Sequence, residues 1–370
     1  MARKRPLSAA GTLVVLEHVS QVLADNPLGD PHRRKLAVWL PPQYDEGRGG
    51  GRGRRFPVLY DLVGFTGSGP AHTNWKPFGD NVPERVARLV HDRRMGPAIV
   101  VFPDCFTAYG GNQYVNSPAI GRYADYLTRE IIPFVDREFR SLAAREHRGC
   151  FGKSSGGYGA IVHAMKYAGH WGAVANHSGD AYFDFLYRAD WPNTLDELAK
   201  YRRPARTAGR YDTEKASAAL KPGLDDGRVR RFLEHIWRTD RPGHAQTMCL
   251  MNLAMAASYD PDPRAPNGFR LPFHLETGEL IEARWQRWLA HDPIHMVAAH
   301  RANLASMRGI FIDCGWRDQF HIHYGCRQLS RELARHGIVH TYEEFDGTHS
   351  GLDYRLERSL PFLTRALAPG

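Results

Sequence analysis

Residues Arg148 to Ala160, RGCFGKSSGGYGA, join a short apolar run to a helix-patterned segment through a cluster of glycines. An apolar run that feeds a helix through so tight a turn commits the chain to a strand–turn–helix unit, the building block of a sheet covered by helices. The glycine cluster admits two chemical readings. Gly-Lys-Ser at 152–154 is how a phosphate-binding loop ends. Such a loop needs a further glycine five positions before the one that precedes Lys-Ser, and His147 stands there. The nearest upstream glycine, Gly149, is too close to let the backbone encircle a phosphate. The second reading, Gly152-Lys153-Ser154-Ser155-Gly156, keeps Gly-x-Ser-x-Gly intact. In that turn a serine is held in strained geometry, and its flanking glycines spare the crowded backbone two side chains. Ser154 is therefore the candidate nucleophile, with Gly152 and Gly156 as the glycines of the turn.

The same alternation runs along most of the chain. Apolar, strand-length runs fall at 12–18, 34–40, 56–62, 98–104, 148–152, 172–178, 309–315 and 338–345. Between them VPERVARLVHD, YADYLTREIIPFVDREF, GYGAIVHAMKYA, CRQLSRELARHG and LDYRLERSLPFLTRAL carry apolar residues at helical spacing. The expected fold class is α/β: a mostly parallel central sheet flanked by helices, with any site at the carboxyl ends of the strands. Residues 183–305 break the rhythm. They show helical segments but no clear strand, and are read as a helical cap inserted between core segments 1–182 and 306–370. Met248, Met251 and Met255 lie at helical spacing there. They can pack the insertion internally, line a substrate pocket, or do both.

At 370 residues and 42% hydrophobic content, the chain can bury a sizeable core. Its net charge of +9 comes from 41 arginines and 8 lysines against 40 acidic residues. The basic residues are scattered, the densest run (47–55) reads as a loop, and no nucleic-acid motif accompanies them, so no nucleic-acid partner is expected. Cys105, Cys150, Cys249, Cys314 and Cys326 form an odd set without a Cys-x-x-Cys pair, which favours buried free thiols. The N-terminus reads as a first strand rather than a signal peptide, because Glu17 and His18 interrupt its short apolar run. With no stretch long enough to span a membrane, a cytoplasmic location is expected.

A serine nucleophile needs a base, and the base needs an orienting carboxylate. Asp318 follows the strand-like GIFIDCG, and His349 follows IVHTYEEF just before the last helical segment. These are assigned as the carboxylate and as the general base and acid. Asp313 lies inside its strand, with its side chain expected to face a helix layer, and Asp346 can cap a local turn. His321 and His323 lack a third ligand at metal spacing, so they are read as surface or cleft-rim residues; no metal and no organic cofactor is expected. Ser155 and Ser178 lack the leading glycine of the pentapeptide. An oxyanion would be held by the N–H of Ser155 and by that of Phe65, which follows Gly64 at the end of FPVLYDLVG.

LAVWLPPQY, FPVLYDLVGFTG, AIVVFPD, GGNQYVNSPAIGRYADYLTREIIPFVDREFR, GKSSGGYGA, IDCGWRDQF and FDGTHSG together resemble the esterase D and enterochelin-esterase-like branch of the α/β-hydrolases. The resemblance spans most of 12–182 and 306–370. It implies an α/β-hydrolase fold and the roles already assigned to Ser154, Asp318, His349 and the Phe65 and Ser155 amides. Departures from the family's pattern are Ser155 where methionine is common, Lys153 where histidine is frequent, and a longer 183–305 segment. The expected activity is serine carboxylic-ester hydrolysis of a small-molecule ester; the alternative is acyl transfer to an alcohol or sugar through the same residues.

Overall fold

The computed structural model describes residues 11–45, 53–202 and 225–369. The basic residues at the N-terminus and most of the 47–55 run lie outside that set. Eight strands form one sheet: β1 (Thr12–Val19), β2 (Arg33–Leu40), β3 (Val58–Leu62), β4 (Ile99–Phe102), β5 (Arg148–Lys153), β6 (Ala173–His177), β7 (Gly309–Gly315) and β8 (Thr341–Phe345). Their order across the sheet is β1-β2-β4-β3-β5-β6-β7-β8. The β1–β2 and β2–β4 pairings are antiparallel, and all the others are parallel.

Both faces of the parallel part are buried, which is why its strands read as continuous apolar runs. Val58, Tyr60, Leu62, Ile99, Val101, Cys150, Val174, Ile310 and Ile312 point to one side. Leu59, Val100, Phe102, Phe151, Ala173, Ala175 and Phe311 point to the other. The second face is covered by α1 (Val82–His91) and a C-terminal helix, Leu356–Ala366. The first face carries α2 (Ile132–Glu138), α3 (Ser155–Lys166) and much of the stretch between β6 and β7. Among the described residues of that stretch the longer helices are α4 (Trp191–Ala199), α5 (Arg228–Ile236), α6 (His244–Tyr259) and α7 (Glu282–Leu289). α8 (Ile322–Arg335) follows β7, and Leu356–Ala366 is α9.

One expected helix is not uniform. Over 123–139, residues Tyr126–Ile131 wind as a π-helix before α2 begins. Pro133 has no N–H to offer the preceding turn and its ring crowds a carbonyl there; widening the turn relieves both. All five cysteines are buried and unbridged. Among the described residues no helix is long and apolar enough to cross a membrane.

Candidate active site

β5 delivers Ser154 into a turn with φ 57° and ψ −126°, backbone values that a side-chain-bearing residue rarely adopts. Neighbouring backbone holds it there. The Ser154 N–H donates to the His177 carbonyl at 3.0 Å, and the Ser154 carbonyl accepts from the Tyr158 N–H at 2.9 Å. A Cβ on either Gly152 or Gly156 would collide with the Leu62 carbonyl oxygen of β3, so both positions exclude every other residue. The loop after β3 also lies against the turn: a Cβ on Gly64 would sit 3.4 Å from Ser154 Cβ. Neither the Phe65 N–H nor the Ser155 N–H donates a hydrogen bond among the described residues.

Asp318 and His349 come from the ends of β7 and β8. The two connecting loops are tied together: Trp316 N–H donates to Phe345 O and Arg317 N–H to Gly347 O, each at 3.0 Å. His349 Nδ1–H donates to Asp318 Oδ2 at 2.7 Å, while Asp318 Oδ1 accepts the Phe320 N–H at 2.9 Å. Burial resists ionisation of Asp318, but its hydrogen bonds from His349 and from backbone amides outweigh that and hold its pKa below the usual carboxylate value. The His349 N–H donates to Gln319 Oε1 at 2.9 Å, and Phe320 packs edge-on to the imidazole at 4.9 Å between centroids. Ser154 and His349 line one cavity of about 350 Å³, within the range that holds a small molecule. No hydrogen bond joins the two; in unliganded enzymes this contact is often long and tightens with substrate.

The cavity has two differently lined sides. Met248, Met251, Leu186, Tyr187, Phe320 and Ile322 supply an apolar wall, so two of the three methionines face the cavity. Met255 is buried behind them, accepting the Gln113 amide N–H on its sulfur. The opposite side is polar, with His72, Lys76, Lys153 and Asp353. Asp61 holds His72 Nδ1 at 2.6 Å; burial works against the His72 charge, but that carboxylate prevails and raises its pKa. Lys153 faces this side rather than solvent, and burial lowers its pKa.

The rivals fall elsewhere. Asp313 is fully buried between His177 Nδ1, at 2.6 Å, and the Arg355 guanidinium, at 2.8 Å. His177 Nε2 in turn meets Ser359 Oγ at 2.8 Å, completing a Ser–His–Asp chain sealed under α9. Ser178 is buried against Cys314, and Asp346 pairs on the surface with Arg317. His321 is exposed, whereas His323 is buried, its ring packed on Tyr324 at 4.1 Å. Sequence reasoning passed over Asp180, Gln113, His72 and Asp61. Asp180 closes HSGD at the carboxyl end of β6, a place where a site residue is expected in this fold class. The other three carried no local signal.

The sequence pattern of the putative esterase family matches residues 31–357. The chain belongs to that family. An esterase of Mycobacterium tuberculosis is 31% identical over 160 residues, covering 42% of this chain and 32% of the relative. The chain therefore aligns with about a third of the length of the curated relatives it matches. A ferulic acid esterase superposes with a TM-score of 0.57 at 19% identity, covering 97% of this chain and 99% of the other. An S-formylglutathione hydrolase of Agrobacterium tumefaciens gives 0.54 at 15% identity, covering 99% of both. With the strand order above, these matches identify the α/β-hydrolase fold.

Proposed function

We propose that this member of the putative esterase family is a serine carboxylic-ester hydrolase working through an acyl-enzyme on Ser154. The observation that carries the reading is the meeting, in one cavity, of a strained serine and a histidine already bonded to a buried carboxylate. His349 Nε2 takes the Ser154 proton as Oγ attacks the ester carbonyl. The Phe65 and Ser155 amides then hold the oxyanion, helped by the positive end of α3. Collapse of the intermediate expels the alcohol, which receives the proton from His349. A water molecule, deprotonated by His349, attacks the acyl-enzyme; the acyl–Oγ bond breaks, Ser154 Oγ takes the proton back from His349, and the acid is released. Asp318 fixes the tautomer with its proton on Nδ1 and stabilises the imidazolium. Residues 183–305 act as a cap whose Met248 and Met251 contact the apolar part of a small-molecule ester. An acyltransferase would use the same residues with an alcohol or sugar replacing water.

The test is intact mass after fluorophosphonate treatment of the wild type and of Ser154→Ala. One adduct on the wild type and none on the variant supports the reading. A folded wild type that stays unlabelled refutes it.

A further inference from the structure

Asp180 lies at the base of the apolar wall, with only 4% of its surface exposed. Both of its protein partners meet one oxygen: Tyr187 O–H donates to Oδ2 at 2.7 Å and the Gln113 amide donates to it at 3.1 Å. Both partners are neutral. Oδ1 receives no hydrogen bond among the described residues, and it is not among their sealed, unpartnered atoms. A carboxylate this buried is normally matched by a cation or by donors on both oxygens. Here one oxygen is left to the cavity, which Leu186, Tyr187, Met248 and Met251 line together with Thr247 and His244 of the same helix as the methionines. The placement is fixed from behind. Ser155 Oγ lies 3.0 Å from the same Gln113 nitrogen, which shares its two N–H bonds among Asp180, Ser155 and the Met255 sulfur and so ties Asp180 to the residue following Ser154.

Resting on the reading of Ser154 as an esterase nucleophile, we propose that Asp180 is a specificity-determining residue whose Oδ1 accepts a hydrogen bond from a hydroxyl or ammonium group on the substrate chain that lies along the methionine wall. The preferred ester is then an apolar chain carrying one donor, rather than a plain alkyl or aryl chain. Both donor types satisfy the free oxygen, and an ammonium also supplies the counter-charge that Tyr187 and Gln113 do not. A site built around a buried acceptor discriminates against analogues lacking the donor, because the acceptor is then stranded.

The experiment compares kcat/KM near pH 8 for three series of p-nitrophenyl esters of matched chain length, with alkyl, ω-hydroxy and ω-amino acyl chains. At one length or more, a donor-bearing ester is expected to exceed its alkyl counterpart by about tenfold to a hundredfold. The hydroxy and amino arms then show which donor is read. Asp180→Asn keeps the shape, can keep its oxygen toward Tyr187 and Gln113, and turns an N–H₂ toward the cavity. In that variant the donor-to-alkyl ratio should collapse to about one or invert. A merely structural role would lower all three series together and leave the ratio intact, which overturns the proposal. So does wild-type turnover without donor preference at any length, while the esterase reading stands. Absence of turnover on every ester, with no fluorophosphonate adduct, removes both.

Discussion

The arrangement of hydrogen bonds on Asp318 makes one substitution unusually informative. Oδ1 is committed to the Phe320 N–H at 2.9 Å, and Oδ2 to His349 Nδ1 at 2.7 Å. In Asp318→Asn the backbone donor at Phe320 retains the amide oxygen, so the amide nitrogen turns toward His349. An N–H₂ can only donate, and it therefore selects the tautomer in which Nδ1 is bare and Nε2 carries the proton. In the proposed mechanism that nitrogen accepts the Ser154 proton. The side chain keeps its volume and the loop keeps its backbone bonds, so the loss is chemical rather than structural. Where a triad carboxylate is neutralised in this way, kcat falls on the order of ten-thousandfold, equivalent to about 5.4 kcal/mol in the barrier. The assay is steady-state hydrolysis of p-nitrophenyl acetate alongside the rate of fluorophosphonate labelling, with circular dichroism as the check on folding. A folded variant that loses less than tenfold in both would refute the assignment of Asp318 as the orienting carboxylate.

Three further outcomes follow from other parts of the molecule. Gly156→Ala places a methyl against the Leu62 carbonyl, and should cost about 3 kcal/mol or more of stability, read as a lowered urea midpoint; an unchanged midpoint would show that the turn has slack. His163 is fully buried, donating to Tyr114 O and accepting from Trp171, and burial lowers its pKa from 6.5 to about 4. Its neutral form is the one that fits, so stability present above pH 6.5 should drain away as pH falls toward 4, by on the order of 3 kcal/mol; His163→Gln should flatten that slope in urea melts. Glu357 accepts from Arg88, Arg94 and Arg85, and those bonds, Arg88 first, pull its pKa to about 2 from 4.5. That contribution is complete above pH 4.5 and lost as pH falls toward 2, so Glu357→Gln should lower Tm at neutral pH and bring it closer to the wild type in acid.

What the sequence disclosed depended on how local the cause was. Buried parallel strands need apolar residues on both faces, so β3 to β7 stand out as short apolar runs. Their ends were less legible where proline intervenes. The run at 56–62 becomes a strand of the sheet only at Val58, after Pro57, with Phe56 bridging to Ser141 instead, and that at 98–104 stops at Phe102, before Pro103. The run at 338–345 begins pairing at Thr341, because the Ile338 N–H is spent closing α8 on Leu333 O. The turn around Ser154 was legible because two glycines are forced by one carbonyl of the adjacent strand, that of Leu62. Gln113 was not, because it has no pattern of its own, and Asp180 offered only its place at the carboxyl end of β6. Their roles arise from a contact between residues 67 positions apart in sequence. The polar side of the cavity was hidden for a related reason, since His72 gains its character only from Asp61 beneath it.

The backbone bonds that lash the Asp318 loop to the His349 loop bear on how such a chain can diverge. Asp318 and His349 travel as a single piece fastened to β7 and β8, while Ser154 is fastened separately to β3, β5 and β6. The two pieces meet along the β6–β7 pairing, a seam where the Ser178 N–H reaches Asp313 O at 2.8 Å, and α9 packs across both strands. The described residues of 183–305 lie in the chain between β6 and β7 and contribute no strand to that pairing. A graft of a different insertion between those two strands should therefore alter which esters enter without re-aiming the base at the serine. Reshaping the seam itself should misalign the chemistry even with every side chain of the site in place.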